Sequence, residues 1–90
     1  MRQIDDYVDL AKTRNNITSD NQLARRMNIN HSSISTWRNK KAWPAERTML
    51  DLADLAGIPR TIALLELNYW RSVPEAQSTY KTILEELHAA

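Results

Sequence analysis

The scarcity of glycine is the feature that most limits how this chain can fold. Gly57 is the only glycine in 90 residues, and neither Asn-Gly nor Asp-Gly, the usual dipeptides of tight β-hairpins, occurs anywhere. No long stretch alternates apolar and polar residues, as a half-buried strand does. Apolar residues recur instead at intervals of three and four, the spacing of a helix with one buried face. The sequence therefore predicts an all-α protein.

Residues that typically begin or end helices divide the chain into six predicted helices. Ser19 and Gln22 form a capping-box pattern, and Asn28 tolerates the left-handed conformation that ends a helix. Pro44 and Gly57 suit the first turn and the end of a later helix. The predicted segments are Arg2–Arg14, Asp20–Met27, a third from His31 or Ser32 to Asn39, a fourth from Pro44 to Ala56, a fifth opened by Pro59 with Ile62, Leu65 and Tyr69 on one face, and a sixth opened by a Ser72-Val73-Pro74-Glu75 capping box and ending near His88.

The segment Asp20–Asn39 has the pattern of a helix-turn-helix, in which a tight turn joins two helices that share a core. Asn28-Ile29-Asn30 is the predicted turn. A small residue, Ala24, lies where the two helices cross and lets them approach closely. The apolar residues predicted to face inward are Leu23, Ala24 and Met27 on the first helix and Ile34 and Trp37 on the second.

The outward face of the second of these helices is predicted to carry short polar side chains, although such residues are mediocre helix formers. The major groove of DNA admits an α-helix, and Ser and Thr side chains can hydrogen-bond to base edges there. Positive and amide groups near the end of the helix are placed for phosphates. The sequence therefore predicts the base-reading residues His31, Ser32, Ser35 and Thr36 and the phosphate-binding residues Arg38, Asn39, Lys40 and Lys41.

Some of these residues have a structural alternative. His31, beside the turn, fits a contact with DNA and an ordinary surface or capping position equally well. One of Ser32 and Ser33 is expected to cap the helix, because serine is a preferred N-cap. Ser35 and Thr36 are then the base-reading residues without a capping alternative.

The segment Asp20–Asn39, with its continuation Lys40-Lys41-Ala42-Trp43-Pro44, resembles the helix-turn-helix of Cro/CI-type (XRE-like) phage repressors. The likeness rests on the spacing of the inward apolar residues, on the Trp37-Arg38-Asn39-Lys40 run, and on the Leu55-Ala56-Gly57-Ile58 ending of the fourth helix. It covers about residues 3–67. Asn28 stands where the family often has glycine, and Gln and Arg are scarce among the predicted base-reading residues.

This resemblance implies a lambda-repressor-like domain of five helices, residues 1–70, that binds double-stranded DNA. The Asp20–Met27 helix would lie across the DNA backbone, and the next helix would enter the major groove. The resemblance implies base contacts from Ser32, Ser35 and Thr36 and phosphate contacts from Asn21, Asn39 and Lys40.

Residues 71–90 form the predicted sixth helix, which we expect to belong to the same compact unit. Its apolar residues recur at alternating intervals of three and four, as in a coiled-coil seam. A two-fold contact between copies is the favoured interpretation, and packing on the helix's own domain is the alternative. The residues predicted to form this dimer contact are Val73, Ala76, Tyr80, Ile83, Leu84 and Leu87.

Charge and composition limit the class of protein. Residues 1–47 carry nine Lys/Arg and five Asp/Glu, whereas residues 48–90 carry three and six, so the net charge of +1 combines a basic and an acidic half. A basic half suits an acidic partner such as DNA. The chain lacks cysteine, and its first twenty residues contain no continuous apolar run, so we expect a protein of a reducing compartment without a signal peptide. The resemblance to phage repressors implies that this compartment is the bacterial cytoplasm and that the protein is associated with the nucleoid when bound to DNA.

The sequence gives little support for an enzyme. His31 and His88 lie far apart in the chain, and neither a glycine-rich phosphate loop nor a metal-ligand spacing occurs, so no cofactor and no metal are expected. The first hypothesis is a sequence-specific regulator, a phage, prophage or mobile-element repressor acting as a homodimer. The alternatives are an excisionase or recombination directionality factor that bends DNA at an attachment site, and an antitoxin-like protein-interaction module.

Overall fold

A computed structural model of the chain describes residues 1–89. All regular structure in that range is helical, which confirms the predicted all-α class with a sixth, C-terminal helix. Ala90, the last residue of the predicted C-terminal segment, lies outside the described residues. The helices are α1 (Ile4–Arg14), α2 (Asp20–Met27), α3 (His31–Arg38), α4 (Glu46–Ala56), α5 (Arg60–Arg71) and α6 (Pro74–Ala89).

Both predicted ends of α2 are confirmed. The Ser19 hydroxyl oxygen accepts a hydrogen bond from the backbone N–H of Gln22 at 3.1 Å. The side chain of Gln22 reaches back to the N–H and hydroxyl of Thr18, at 3.0 and 2.8 Å, instead of to Ser19. Asn28 ends the helix with φ of 57°, a left-handed conformation that asparagine adopts more readily than most residues. These caps fix where the turn between α2 and α3 begins.

The predicted N-cap of α3 is wrong. Asn30 caps this helix, because its side-chain oxygen accepts from the backbone N–H of Ser32 at 3.0 Å. The hydroxyl of Ser32 donates to the same oxygen, also at 3.0 Å. Neither Ser32 nor Ser33 is therefore the cap, and both lie within the first turn of the helix.

Two later helix starts also differ from the prediction. Pro44 is buried and lies before α4, which begins at Glu46. Ser72 does not begin α6, because its hydroxyl donates to the carbonyl of Asn68 and so completes the end of α5. The sixth helix begins at Pro74, where the fixed φ of proline suits the first helical position.

A single apolar core joins α1 to α5, and α1 packs mainly against α4. The predicted inward faces of α2 and α3 are confirmed, since four of their five residues are buried and Met27 packs half-buried against the same core. Burying a large apolar side chain contributes about 1.5–3 kcal/mol. The buried apolar residues of the core are Ile4, Tyr7, Val8, Ala11, Leu23, Ala24, Ile34, Trp37, Met49, Leu52, Ala53, Ala56, Ile58, Ala63 and Leu67.

The buried face of α5 differs from the predicted one. Its buried residues are Ala63, Glu66 and Leu67, whereas the three residues of the predicted face are only half-buried. Glu66 is 2% exposed and accepts hydrogen bonds from the Tyr7 hydroxyl and from the backbone N–H of Arg2. Burial, together with the hydrogen bond to Glu66, raises the pKa of Tyr7. An apolar-spacing rule overlooks such a residue because it counts only apolar positions.

Aromatic contacts hold the connection between α3 and α4 in place. Trp43, in that connection, stacks on Trp70 of α5 with ring centroids 5.4 Å apart. Trp70 also meets Tyr7 edge-on at 5.7 Å, and its indole N–H donates to the carbonyl of Arg2 at 3.2 Å. The chain that leaves α3 is thereby anchored to α5.

Candidate nucleic-acid interface

The outward face of α3 is polar and accessible. His31, Ser32 and Ser35 are exposed, and Thr36 is half-buried. The inner face of the same helix is held by Ile34 and by the rest of the shared core, so its orientation is fixed. The structure therefore presents all four predicted base-reading residues on one short helix, although their contacts with DNA stay predictions.

The hydroxyl groups on this face are not equally available. Thr36 donates its hydroxyl hydrogen to the carbonyl of Ser32 at 2.9 Å, one turn earlier. It offers a ligand only its methyl group and the acceptor side of its oxygen. The hydroxyl of Ser32 is already donated to Asn30. Within residues 1–89, the hydroxyl of Ser35 is hydrogen-bonded to no other group, so Ser35 can both donate to and accept from a base edge.

The C-terminal end of α3 is closed by a lysine in a left-handed conformation. Lys40 has φ of 58°, where glycine is usual. Its N–H bonds the carbonyl of Trp37 at 3.0 Å, and the N–H of Lys41 bonds that of Thr36 at 3.1 Å, the two bonds of a Schellman ending. A left-handed non-glycine residue costs about 1–2 kcal/mol, so the backbone here is held by its surroundings. The sequence contains no glycine that would have indicated this ending.

The side chain of Asn39 also stabilises this end of α3. Its amide nitrogen donates to the carbonyl of Ser35 at 2.9 Å, and its side chain is exposed. Lys41, also predicted to bind phosphate, is exposed beside it, and Asn21 is exposed in the first turn of α2. These three residues are accessible from solvent, and their phosphate contacts stay predictions.

Arg38 lies at the centre of an ion-pair network that the sequence analysis did not anticipate. Its guanidinium bonds Asp20 of α2 at 2.8 Å, Asp5 of α1 at 3.0 Å and Asp9 of α1 at 2.8 Å. Three helices are therefore linked through one side chain, which is 27% exposed. We call this network, with two lysines described next, the Arg38 cluster; its members are Asp5, Asp9, Lys12, Asp20, Arg38 and Lys40.

Two lysines complete the Arg38 cluster. Lys12 bonds Asp20 at 2.9 Å, and Lys40 bonds Asp5 at 2.6 Å. The hydrogen bond from Lys40, followed by that from Arg38, lowers the pKa of Asp5. The hydrogen bond from Arg38, followed by that from Lys12, lowers the pKa of Asp20. The hydrogen bond to Asp20 in turn raises the pKa of Arg38, so Asp5, Asp20 and Arg38 stay ionised near neutral pH.

A weak sequence signal for this cluster did exist. Asp5 and Asp9 are four residues apart and so lie on one face of α1, and Asp20 stands in the first turn of α2. The partner, Arg38, is 18 to 33 residues away along the chain. Only the packing of α1 and α2 against α3 brings the charges together.

The six residues predicted to form a dimer contact divide into two groups. Leu84 is 3% exposed and faces its own chain, and Ala76 and Tyr80 are half-buried. Val73, Ile83 and Leu87 are exposed, at 66%, 36% and 43%. The helix packs along α5, where the Gln77 amide donates to the carbonyl of Tyr69 at 2.9 Å. Part of the predicted seam therefore belongs to the fold of its own chain, and part faces solvent.

Among residues 1–89, no group of three or more His, Asp or Glu side chains is arranged to hold a metal ion. No helix in the same range has both the length and the apolar character that a membrane crossing requires.

Comparison with known families identifies the class of this helix-turn-helix. The family model of the bacteriophage CI repressor helix-turn-helix domain matches residues 6–59, more than half of the chain. The chain therefore belongs to the bacteriophage CI repressor helix-turn-helix family and is a DNA-binding regulator of phage-repressor type. The match contains α2, the turn and α3 complete and ends before α5, earlier than residue 67. Comparisons with curated proteins and with solved structures gave no significant match.

Proposed function

We propose that this protein is a sequence-specific transcriptional repressor of phage or prophage type that inserts α3 into the major groove of operator DNA. The proposal rests on the two different faces of α3, which belongs to the helix-turn-helix that the family model matches. Its apolar residues are buried against α2 and α1, and its short polar residues face solvent. A helix that served only to fill a core would not need this outward row of serines, which are poorer helix formers than alanine.

The proposed base contacts follow from the available hydroxyl groups. Ser35 is the principal reader, because its hydroxyl is exposed and hydrogen-bonded to no other group among the described residues. Thr36 contributes a methyl group that suits a thymine methyl, since its hydroxyl hydrogen is already donated. Ser32 and His31, near the start of the helix, contact the neighbouring base pair or the DNA backbone.

The proposed phosphate contacts come from the accessible residues at the two helix ends. Asn21 begins α2, while Asn39, Lys40 and Lys41 follow α3. Arg38 is excluded from this set, since its nitrogens already bond three carboxylates. We assign to it the role of holding α3 against α1 and α2, so that the outward row of α3 keeps its orientation.

The proposed assembly is a homodimer formed through α6. Of the large apolar side chains that are exposed within residues 1–89, three lie on or beside this helix and only Met1 lies elsewhere. In a two-fold dimer, two copies of α3 would enter successive major grooves about 34 Å apart on a palindromic site. We therefore propose residues 1–70 as the DNA-binding part and residues 71–90 as the dimer contact, with Val73, Ile83 and Leu87 at its centre and Leu84 inside the monomer.

Footprinting on the DNA that flanks the protein's own gene tests this function. A repressor protects one or more palindromic sites that overlap a promoter. Lys40→Ala should weaken binding to all sequences alike and reduce the salt dependence, by about 0.9 in the slope of log K against log salt. Protection of repeated sites at an attachment site, with bending of the DNA, would instead identify a recombination directionality factor. A stable complex with a second protein and no footprint would identify an antitoxin-like module.

A further inference from the structure

We propose that Asp5 competes internally with DNA for Lys40 and thereby lowers the affinity of the protein for DNA of every sequence. The Lys40 ammonium, which the proposed function assigns to a phosphate, already bonds a carboxylate of its own chain at 2.6 Å. The inference rests on the proposed function, because it requires that Lys40 contacts DNA.

The Lys40–Asp5 contact has the chemistry of a phosphate contact. A carboxylate oxygen, like a phosphate oxygen, is an anionic acceptor, and both form short charge-assisted hydrogen bonds with an ammonium group. The two side chains are 40% and 37% exposed, so a DNA strand can reach the ammonium. A phosphate that binds Lys40 must therefore displace Asp5 or share the ammonium with it.

Lys40 and Arg38 differ in how readily they can be released. Arg38 bonds carboxylates on two helices, so losing Asp5 leaves it bound to Asp9 and Asp20. Lys40 has one carboxylate partner among the described residues. An ammonium on a flexible stem is a compact point charge that changes partners easily, whereas a guanidinium fork is held by its geometry. Of these two cations, Lys40 is thus the one that DNA can recruit.

Displacement has the same cost on every DNA sequence. Phosphates carry no sequence information, so the cost of breaking the Lys40–Asp5 pair weakens binding to operator DNA and to unrelated DNA by the same factor. The displaced carboxylate also stays close to the strand, where it repels the phosphates. Asp5 therefore sets the general affinity of the surface without altering its preference among sequences.

The substitution Asp5→Asn tests this competition, with Asp9→Asn as the matched control. Both changes remove one negative charge from α1 and replace one carboxylate partner of Arg38 by a neutral amide, but only Asp5 bonds Lys40. Each substitution is made in the wild-type chain and in Lys40→Ala. Affinity is measured by fluorescence anisotropy with a duplex that the wild-type protein selects from random DNA and with a scrambled duplex. Melting curves verify that every variant is folded.

We expect Asp5→Asn to bind both duplexes about two- to fivefold more tightly than Asp9→Asn, the range that an exposed ion pair supports. The gain should be equal for the two duplexes and should vanish in the Lys40→Ala background. Equal affinities of the two variants, a gain that persists without Lys40, or weaker binding by Asp5→Asn would each overturn the inference. A wild-type protein that selects no duplex from random DNA would instead refute the proposed function, and the inference with it.

Discussion

The helix-turn-helix and α6 leave opposite kinds of surface exposed. On α2 and α3 the large apolar side chains all pack on the core, and the outward positions are serine, threonine and basic or amide residues. On α6 one large apolar residue, Leu84, is buried, while Ile83 and Leu87 face solvent. A polar outward row suits the hydrogen-bonding edges of DNA, whereas an apolar outward row suits another protein surface. The chain therefore presents two chemically different surfaces, for which we propose two different partners.

Truncating one isoleucine in each region should give the largest difference between the two, measured as the loss of unfolding free energy. Ile34, on α3, is fully buried, whereas Ile83, on α6, is 36% exposed. Ile34→Ala should lower the free energy of unfolding by about 2–5 kcal/mol, because it removes buried methyl groups and leaves a cavity. Ile83→Ala should change that of the monomer by no more than about 0.5 kcal/mol. Urea denaturation at low protein concentration measures both, and similar losses would show that α6 packs as core along its whole face.

A charge on the outward face of α6 should dissociate the proposed homodimer. In Ile83→Asp the carboxylate would enter the proposed apolar contact without a partner, at a high desolvation cost. We expect a folded monomer whose operator binding is about 10- to 100-fold weaker, since two linked half-sites give avidity. Sedimentation measures the assembly, and anisotropy measures the binding.

Ser78→Asp is the control for this change, because it adds the same charge to an exposed position five residues earlier, about 140° around the helix. It should remain a dimer. A wild-type protein that is monomeric at tens of micromolar, about the limit for a useful weak dimer, would reject the proposed assembly.

A smaller effect on the free energy of unfolding should appear when the pH is lowered. In the folded protein, hydrogen bonds from Lys40 and Arg38 lower the pKa of Asp5, and hydrogen bonds from Arg38 and Lys12 lower the pKa of Asp20. The unfolded chain therefore takes up protons first on acidification, so this stabilisation is complete above the ordinary pKa of 3.8 and is lost as the pH falls through the lower folded values. Because the groups are partly exposed, we expect a contribution of less than about 1 kcal/mol.

Arg38→Met measures this contribution. Its deficit in unfolding free energy relative to wild type should be largest above pH 5 and should shrink towards pH 2. Lys81→Met, on α6, removes a charge for which the structure gives no ion pair within residues 1–89, and it should follow the wild-type pH curve. A deficit for Arg38→Met that does not change with pH would mean that the carboxylates of the Arg38 cluster do not hold α3.

Local patterns account for the parts of this structure that the sequence predicted. The faces of α2 and α3 follow from apolar spacing, and Ser19 and Asn28 follow from capping preferences, because each depends on residues within one or two helical turns. Ser32, Ser33 and Asn30 all suit an N-cap, so the choice among them depends on where the turn ends and α3 begins.

Contacts between distant parts of the chain explain what the sequence did not reveal. Glu66 is buried because Arg2 and Tyr7, about sixty positions away, supply its donors. The Arg38 cluster likewise forms only after α1 and α2 have packed on α3. The same packing gives Arg38 three carboxylate partners, and for that reason we propose that it holds α3 in place, although its position near the helix end predicted a phosphate contact.

The proposed reading of bases by the outward row of α3 depends above all on Ser35, and Ser35→Ala removes its hydroxyl. The wild-type protein and Ser35→Ala each select duplexes from a random DNA pool, with Ser78→Ala, an exposed serine of α6, as the control. Wild type and Ser78→Ala should enrich the same motif. Ser35→Ala should fold normally and lose preference at a particular base pair of each half-site, a loss of about 1–3 kcal/mol in discrimination. An unchanged motif from Ser35→Ala would refute base reading by α3, because the hydroxyl best placed to read a base would then read none.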